Sequence, residues 1–232
     1  MTLVVCYKGI DGLVLATDSR GTIGDPRGLT AITDSMVKLF QLSKFVGIVA
    51  FGQAELAAQL VQEIKSNLGE QDVYLTPQFL EKVRNTLRTK YSSWFESLPR
   101  EARPAVGFII GGIDENGEVK IYYLTSVLDF APQLDVKGHA LGGIPQYATY
   151  LTHRLYNPEM TVENLINLAV FVISETATQD PKVGGPIRVA IISKDKGFRE
   201  LDESRINEVI RKNEEAHKML REFFFRGRKH ER

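Results

Sequence analysis

The hydrophobic period of this chain changes in blocks, and the order of those blocks limits its fold more than any single motif does. In the first fifty residues the pattern is that of strands. Residues 3–8 and 13–18 are apolar runs joined across a turn at 9–12, residues 22–34 read as a loop or wide excursion, and residues 35–42 and 45–51 form another strand pair. From Gln53 the period becomes helical, with Leu56, Leu60, Ile64 and Leu68 four residues apart. Thr76 and Pro77 then give the cap and first-turn proline of a second helix. Residues 105–141 return to strands, with a turn at 114–117. Helices are expected over 145–156 and 161–178, a strand hairpin near 186–201, and a charged helix from Asp202 that ends in the basic tail RGRKHER.

Strands, two helices, strands, two helices, strands, helix is not the strict alternation of a parallel α/β fold. Blocks of this kind favour antiparallel sheets with helices layered on them, so the chain is expected to be α+β. Two stacked antiparallel sheets flanked by helices, a four-layer αββα sandwich, is the simplest solution for 232 residues without a Pro- or Ser-rich linker. Residues 1–205 are read as the domain and 206–232 as a C-terminal helical extension with its basic tail.

Charge excludes some function classes. With 29 basic and 29 acidic side chains the chain has no net field to draw nucleic acid or an anionic membrane. No apolar run approaches the roughly 18 residues of a membrane helix. Cys6 alone makes no disulfide framework, and it lies in an apolar run as a small buried hydrophobe. The expected location is therefore cytoplasmic. The four histidines share no ligand spacing, so neither a metal nor another cofactor is expected.

The second residue carries a chemical possibility. A threonine hydroxyl is a weak nucleophile without a base, but at a chain's start the α-amine, with a pKa near 7.7–8.0, can serve as one. Met1 precedes a small residue, the usual circumstance for its removal, and a retained Met1 would acylate the amine that the mechanism needs. Downstream stand D-G-L-V-L-A-T-D-S-R at 11–20, Lys38-Leu39-Phe40, and the strand end Ala50-Phe51-Gly52. L-G-G-I-P at 141–145, T-V-E-N-L at 161–165 and Q-D-P-K-V-G-G at 179–185 follow.

In these landmarks the chain resembles the β-type subunits of the proteasome family, which are N-terminal-nucleophile hydrolases, over most of its length. The resemblance implies the αββα fold and a threonine-type peptidase in which Thr2, freed of Met1, attacks the scissile carbonyl while its amine shuttles the proton. It further implies that Lys38, held by Asp18, supplies a nearby positive charge and that the Gly52 N–H stabilises the oxyanion. Asp180 matches the family's second acidic residue. Gly21, Thr22, Met36 and Ala50 match positions that bind substrate and line the specificity pocket, here small or flexible and therefore roomy and apolar.

Two positions depart from the pattern. Where the family has a serine in each of its G-S-G-S-P and R-D-x-x-S-G-G segments, this chain has Gly142 and Val183. A peptidase, an acyl transferase or amidase using the same acyl-enzyme, and an inactive scaffold subunit are thus the three function classes to weigh. The expected partners are peptide or protein substrates and further copies in a ring or barrel, with no membrane and no nucleic acid. Phe223, Phe224 and Phe225 cannot share one helix face, which makes the final helix a candidate extra contact.

Overall fold

The computed structural model describes residues 2–25 and 28–226. Met1 and the basic tail from 227 onward lie outside the described residues.

Strands β1 (Leu3–Lys8) and β2 (Gly12–Thr17) form the first hairpin. The stretch expected as a loop is instead a second hairpin, β3 (Gly21–Asp25) and β4 (Gly28–Thr33), paired from Gly21 with Thr33. Its small and turn-forming residues hid a ladder held by backbone pairing rather than by an alternating apolar face. Next come β5 (Leu39–Ser43) and β6 (Val46–Gly52), then helices α1 (Ala54–Asn67) and α2 (Pro77–Trp94). The Thr76 hydroxyl caps α2 by accepting from the Phe79 N–H.

The second half repeats the plan with β7 (Val106–Ile113), β8 (Val119–Thr125), the short β9 (Gln133–Leu134) and β10 (His139–Gly143), followed by α3 (Gln146–Leu155) and α4 (Val162–Gln179). The chain then runs through β11 (Arg188–Ser193) and β12 (Gly197–Glu200) into α5 (Glu203–Arg226).

These elements make two antiparallel five-stranded sheets, ordered β10-β1-β2-β11-β12 and β5-β6-β7-β8-β9. Helices α1 and α2 cover the second sheet, and α3 to α5 cover the first. Side chains along each strand point alternately to two buried layers. In β1, Leu3, Val5 and Tyr7 pack toward α4, whereas Val4 and Cys6 lie between the sheets. In β6, Val46, Ile48 and Ala50 pack under α1 and Val49 lies between the sheets. Because both faces of each sheet are covered, the strands read as continuous apolar runs, which is how antiparallel strands behave in a four-layer sandwich.

Helix α4 is registered on the sheet by Asp11 in the β1–β2 turn, whose Oδ1 accepts from the Val162 N–H at 2.7 Å. The first turns of α5 bury Ile206 and Val209 in the same apolar layer as α4. Among the described residues no helix is long and apolar enough to cross a membrane, and no group of three or more potential ligands is placed to hold a metal.

Candidate active site

The ends of β1, β2, β6 and β10 converge with the loop after α4, and there the structure assembles a carboxylate with every acceptor position used. Asp18 follows β2 and is fully buried. Its Oδ1 accepts from the Thr2 hydroxyl at 3.1 Å, the Leu3 N–H at 3.0 Å and the Lys38 ammonium at 2.7 Å. Its Oδ2 accepts from the Arg20 N–H at 3.2 Å and the Gly184 N–H at 3.1 Å. Of the sequence-derived residues, Thr2 and Lys38 therefore both contact Asp18 and share its Oδ1.

Lys38, buried just before β5, also donates to the Arg20 carbonyl at 2.7 Å. Burial lowers the pKa of its ammonium from the ordinary lysine value, against the pull of Asp18 in the other direction. A lysine so placed holds its charge beside a hydroxyl and still titrates earlier than a free lysine.

Thr2 is fixed from its other side by β10. Its carbonyl accepts from the Ile144 N–H at 2.8 Å, and Gly143 lies so close that a Cβ there would stand 1.8 Å from the Thr2 oxygen. Gly143 also has φ +91°, so both space and backbone conformation require glycine. Gly52 closes β6 at φ +93°, with its own Cβ position 2.4 Å from the Ala105 carbonyl.

The remaining sequence-derived positions divide into two groups. Ala50 is tied to the centre, its N–H donating to the Lys38 carbonyl at 2.8 Å while its methyl packs under α1. Gly21 abuts Met36, whose N–H donates to the Ser19 carbonyl, and Thr22 pairs with Ile32 in the β3–β4 hairpin. Asp180 makes no hydrogen bond to Thr2 among the described residues. Its carboxylate accepts from the Lys182 N–H at 2.9 Å and its carbonyl from Val183, so it shapes the loop that delivers Gly184 to Asp18.

The two departures from the serine pattern have physical reasons. Gly142 lies under the ring of Phe51, and a Cβ added to it would stand 2.5 Å from that ring. The same ring covers Gly107, where the added Cβ would be 2.2 Å away, and it packs against Tyr123 with centroids 5.3 Å apart. The phenylalanine between Ala50 and Gly52 therefore takes the space that a side chain at 142 would need. Val183 is fully buried in the apolar layer around α4.

Sequence reasoning missed Gly143, the Gly184 N–H and Arg20. Arg20 grips Asp34 through Nε at 2.8 Å and Nη2 at 3.0 Å and reaches the Pro181 carbonyl with Nη1 at 3.1 Å, which ties the loop after α4 to the segment before Lys38. The glycine pair at 184–185 and the arginine of D-S-R were visible as letters, but which backbone group they served was not.

Two stacked antiparallel sheets between helix layers, with the site at the start of the first strand, is the N-terminal-nucleophile hydrolase arrangement. The model of the family described as proteasome subunit matches residues 2–192, and the chain belongs to that family. It is similar to the proteasome subunit beta of Methanosarcina barkeri, 26% identical over 206 residues that cover 89% of this chain and 90% of that one. It is also similar to the proteasome subunit beta of Archaeoglobus profundus, at 27% over 208 residues, 86% of this chain and 87% of the other. The proteasome subunit beta type-4 of Saccharomyces cerevisiae is 26% identical over 209 residues, 88% of this chain and 98% of that one. Among solved structures, a Gly-1 mutant of Anbu from Hyphomicrobium sp. strain MC1 superposes with a TM-score of 0.72 over 97% of each chain at 18% identity, a likeness of fold.

Proposed function

We propose that this chain is a threonine-type peptidase of the proteasome family, acting on peptide or protein substrates from within an assembly of its own copies. One observation carries the reading: the Thr2 hydroxyl and the Lys38 ammonium meet on one oxygen of a buried carboxylate. With Met1 removed, the freed α-amine takes the hydroxyl proton as Oγ1 attacks the scissile carbonyl carbon. It then gives that proton to the departing amine, leaving an ester on Thr2. Lys38 stabilises the negative charge that develops on Oγ1, and Asp18 holds both groups in place. The Gly52 N–H receives the oxyanion. Gly21, Thr22, Met36 and Ala50 shape the pocket for the substrate side chain, and Asp180 acts through the loop that carries Gly184.

A second reading shares the same ester but transfers its acyl group to an amine. It is favoured by the absence of a hydroxyl at both 142 and 183, which leaves the α-amine and a hydrolytic water with fewer hydrogen-bonding partners. Release of free acid from an ester substrate, compared with and without an added amine, separates the two.

The decisive measurement is intact mass after treatment with a β-lactone or epoxyketone. The expected result is loss of Met1 and one adduct on Thr2, absent in Thr2→Ala. A trimmed chain that takes no adduct would overturn both readings.

The labelling rate should also depend on pH in a bell. The α-amine must be neutral, so the rate climbs through about 7.7–8.0. Lys38 must be charged, and because burial lowers its pKa, the rate falls again before the ordinary lysine range of about 10.4 is reached. A rate that keeps rising to pH 11 would remove Lys38 from the mechanism.

A further inference from the structure

Helix α5 is longer than the support beneath it. It runs beside α4 in the same direction, with Arg205 on Glu163 near one end and His217 within 3.5 Å of Glu175 near the other. Both pairs are 42 positions apart, so the end of α4 at Gln179 lies level with Arg221. The rest of α5 overhangs it by about 8 Å at 1.5 Å per residue. The overhanging turn carries Phe223, Phe224 and Phe225, which are 71, 71 and 74% exposed, and Met219 and Leu220 are exposed on the turn before it. At about 200 Å² per ring, the three rings present about 430 Å², in the range of the largest apolar patch on a typical monomer.

The directions of the rings tell what can cover them. Successive helix positions are about 100° apart, so three adjacent rings leave the axis over about 200° of the circumference. A groove on a folded partner takes one side of a helix and would leave at least one ring in water. A medium that closes around the helix end covers all three at once. The overhang of about 8 Å also matches the roughly 5–10 Å to which apolar side chains enter the headgroup boundary of a bilayer.

Charge supplies the second half of the argument. The zero net charge that spoke against an anionic membrane is made of two unlike parts. Residues 218–232 hold six lysines and arginines against two glutamates, a net +4, and residues 1–217 hold 23 basic against 27 acidic side chains, a net −4. Lys218 and Arg221 precede the rings in sequence, and Arg226, Arg228, Lys229 and Arg232 follow them. Each Lys or Arg beside an anionic membrane raises partition about fivefold. An apolar insertion joined to a polybasic segment is the pair of signals that stable anchoring requires. We propose that the end of α5 anchors this protein to anionic membrane surfaces, the three rings entering the headgroup boundary end-on and the basic residues of 218–232 pairing with lipid headgroups. The acidic body is repelled by the same surface, so the molecule stands on this tip. The anchor does not depend on the chemistry at Thr2.

The test uses the full chain and vesicles of phosphatidylcholine with or without phosphatidylserine. Wild type is expected to sediment with the serine-lipid vesicles, to stay behind with pure phosphatidylcholine, and to be released as salt shortens the Debye length. The variant Phe223→Ser, Phe224→Ser, Phe225→Ser should partition at least about tenfold less with an unchanged circular dichroism spectrum, since the altered rings are exposed. Arg228→Gln, Lys229→Gln, Arg232→Gln should lose about 100-fold. Depth is read from fluorescence: in a Trp94→Phe chain, the tryptophan of Phe224→Trp should be quenched by lipids brominated high in their chains. Trp94 of wild type, on the opposite helix layer, should not be quenched. Equal binding to both vesicle types, full binding by the serine variant, or no quenching at 224 would each overturn the anchor. So would a lipid-free mass that falls in the serine variant, which would show the rings already covered by another copy, or a wild type that ignores vesicles and binds a single-stranded oligonucleotide. Labelling of Thr2 is read separately, and its absence would sink the catalytic reading while leaving this one standing.

Discussion

Replacing Asp18 by asparagine is expected to lower the free energy of unfolding by about 3–5 kcal/mol and to abolish labelling of Thr2, although the two side chains have the same shape. Both oxygens of the carboxylate accept and neither donates. In one orientation the asparagine amide would face the N–H groups of Arg20 and Gly184, and in the other it would face the Lys38 ammonium, the Leu3 N–H and the Thr2 hydroxyl. Either way donors oppose donors in a buried site, and the Lys38 ammonium loses its counter-charge. Lys38→Met should be milder, because Asp18 keeps four of its five donors. Denaturant unfolding of the two variants gives the order directly. An Asp18→Asn chain within about 1 kcal/mol of wild type, or a Lys38→Met chain less stable than Asp18→Asn, would mean that the shared carboxylate is not what holds the site.

Much of this site was legible because its chemistry is carried by side chains at fixed distances along strands. The letters D-G-L-V-L-A-T-D-S-R and Lys38 place a carboxylate and an ammonium at strand ends, and the change of period at Gln53 tells where the second sheet gains its helices. The two-sheet sandwich follows from the order of blocks for the same reason. Most of what escaped was carried by the backbone. The β3–β4 hairpin has few apolar alternations to show, since its pairing needs only N–H and C=O groups. The Gly184 N–H and the tight approach of Gly143 to Thr2 involve no side chain at all. The tie between Phe51 and Gly142 spans 91 positions and joins opposite sheets, so no local pattern could disclose that one excludes a side chain at the other.

The two neighbouring glycines of β10 should respond to substitution in different ways, and the difference tests the geometry at Thr2. Gly143→Ala places a methyl where the Thr2 carbonyl oxygen is, at φ +91°. The backbone strain is about 1–3 kcal/mol, and the overlap can be relieved only by moving Thr2, which breaks the bond from the Ile144 N–H. A shift of about 1 Å at a reacting group is on the scale of a 100-fold loss of rate, so labelling should fall by at least about that factor. Gly142→Ser meets a side chain instead, the ring of Phe51. Its overpacking should destabilise by about 1–3 kcal/mol, and removing the ring with Phe51→Ala removes the clash. In a double-mutant cycle, Gly142→Ser with Phe51→Ala is therefore less destabilised than the sum of the single changes, whereas Gly143→Ala with Phe51→Ala is additive and still fails to label. If Phe51→Ala rescued Gly143→Ala, the oxygen of Thr2 would not be the atom in the way. If the Gly142 cycle were additive, Phe51 would not be what keeps that position bare. A recovered pair with serine at 142 offers one more reading, because a hydroxyl would then stand on the strand that holds Thr2, and faster turnover of the acyl-enzyme would show that the ring had displaced a working group.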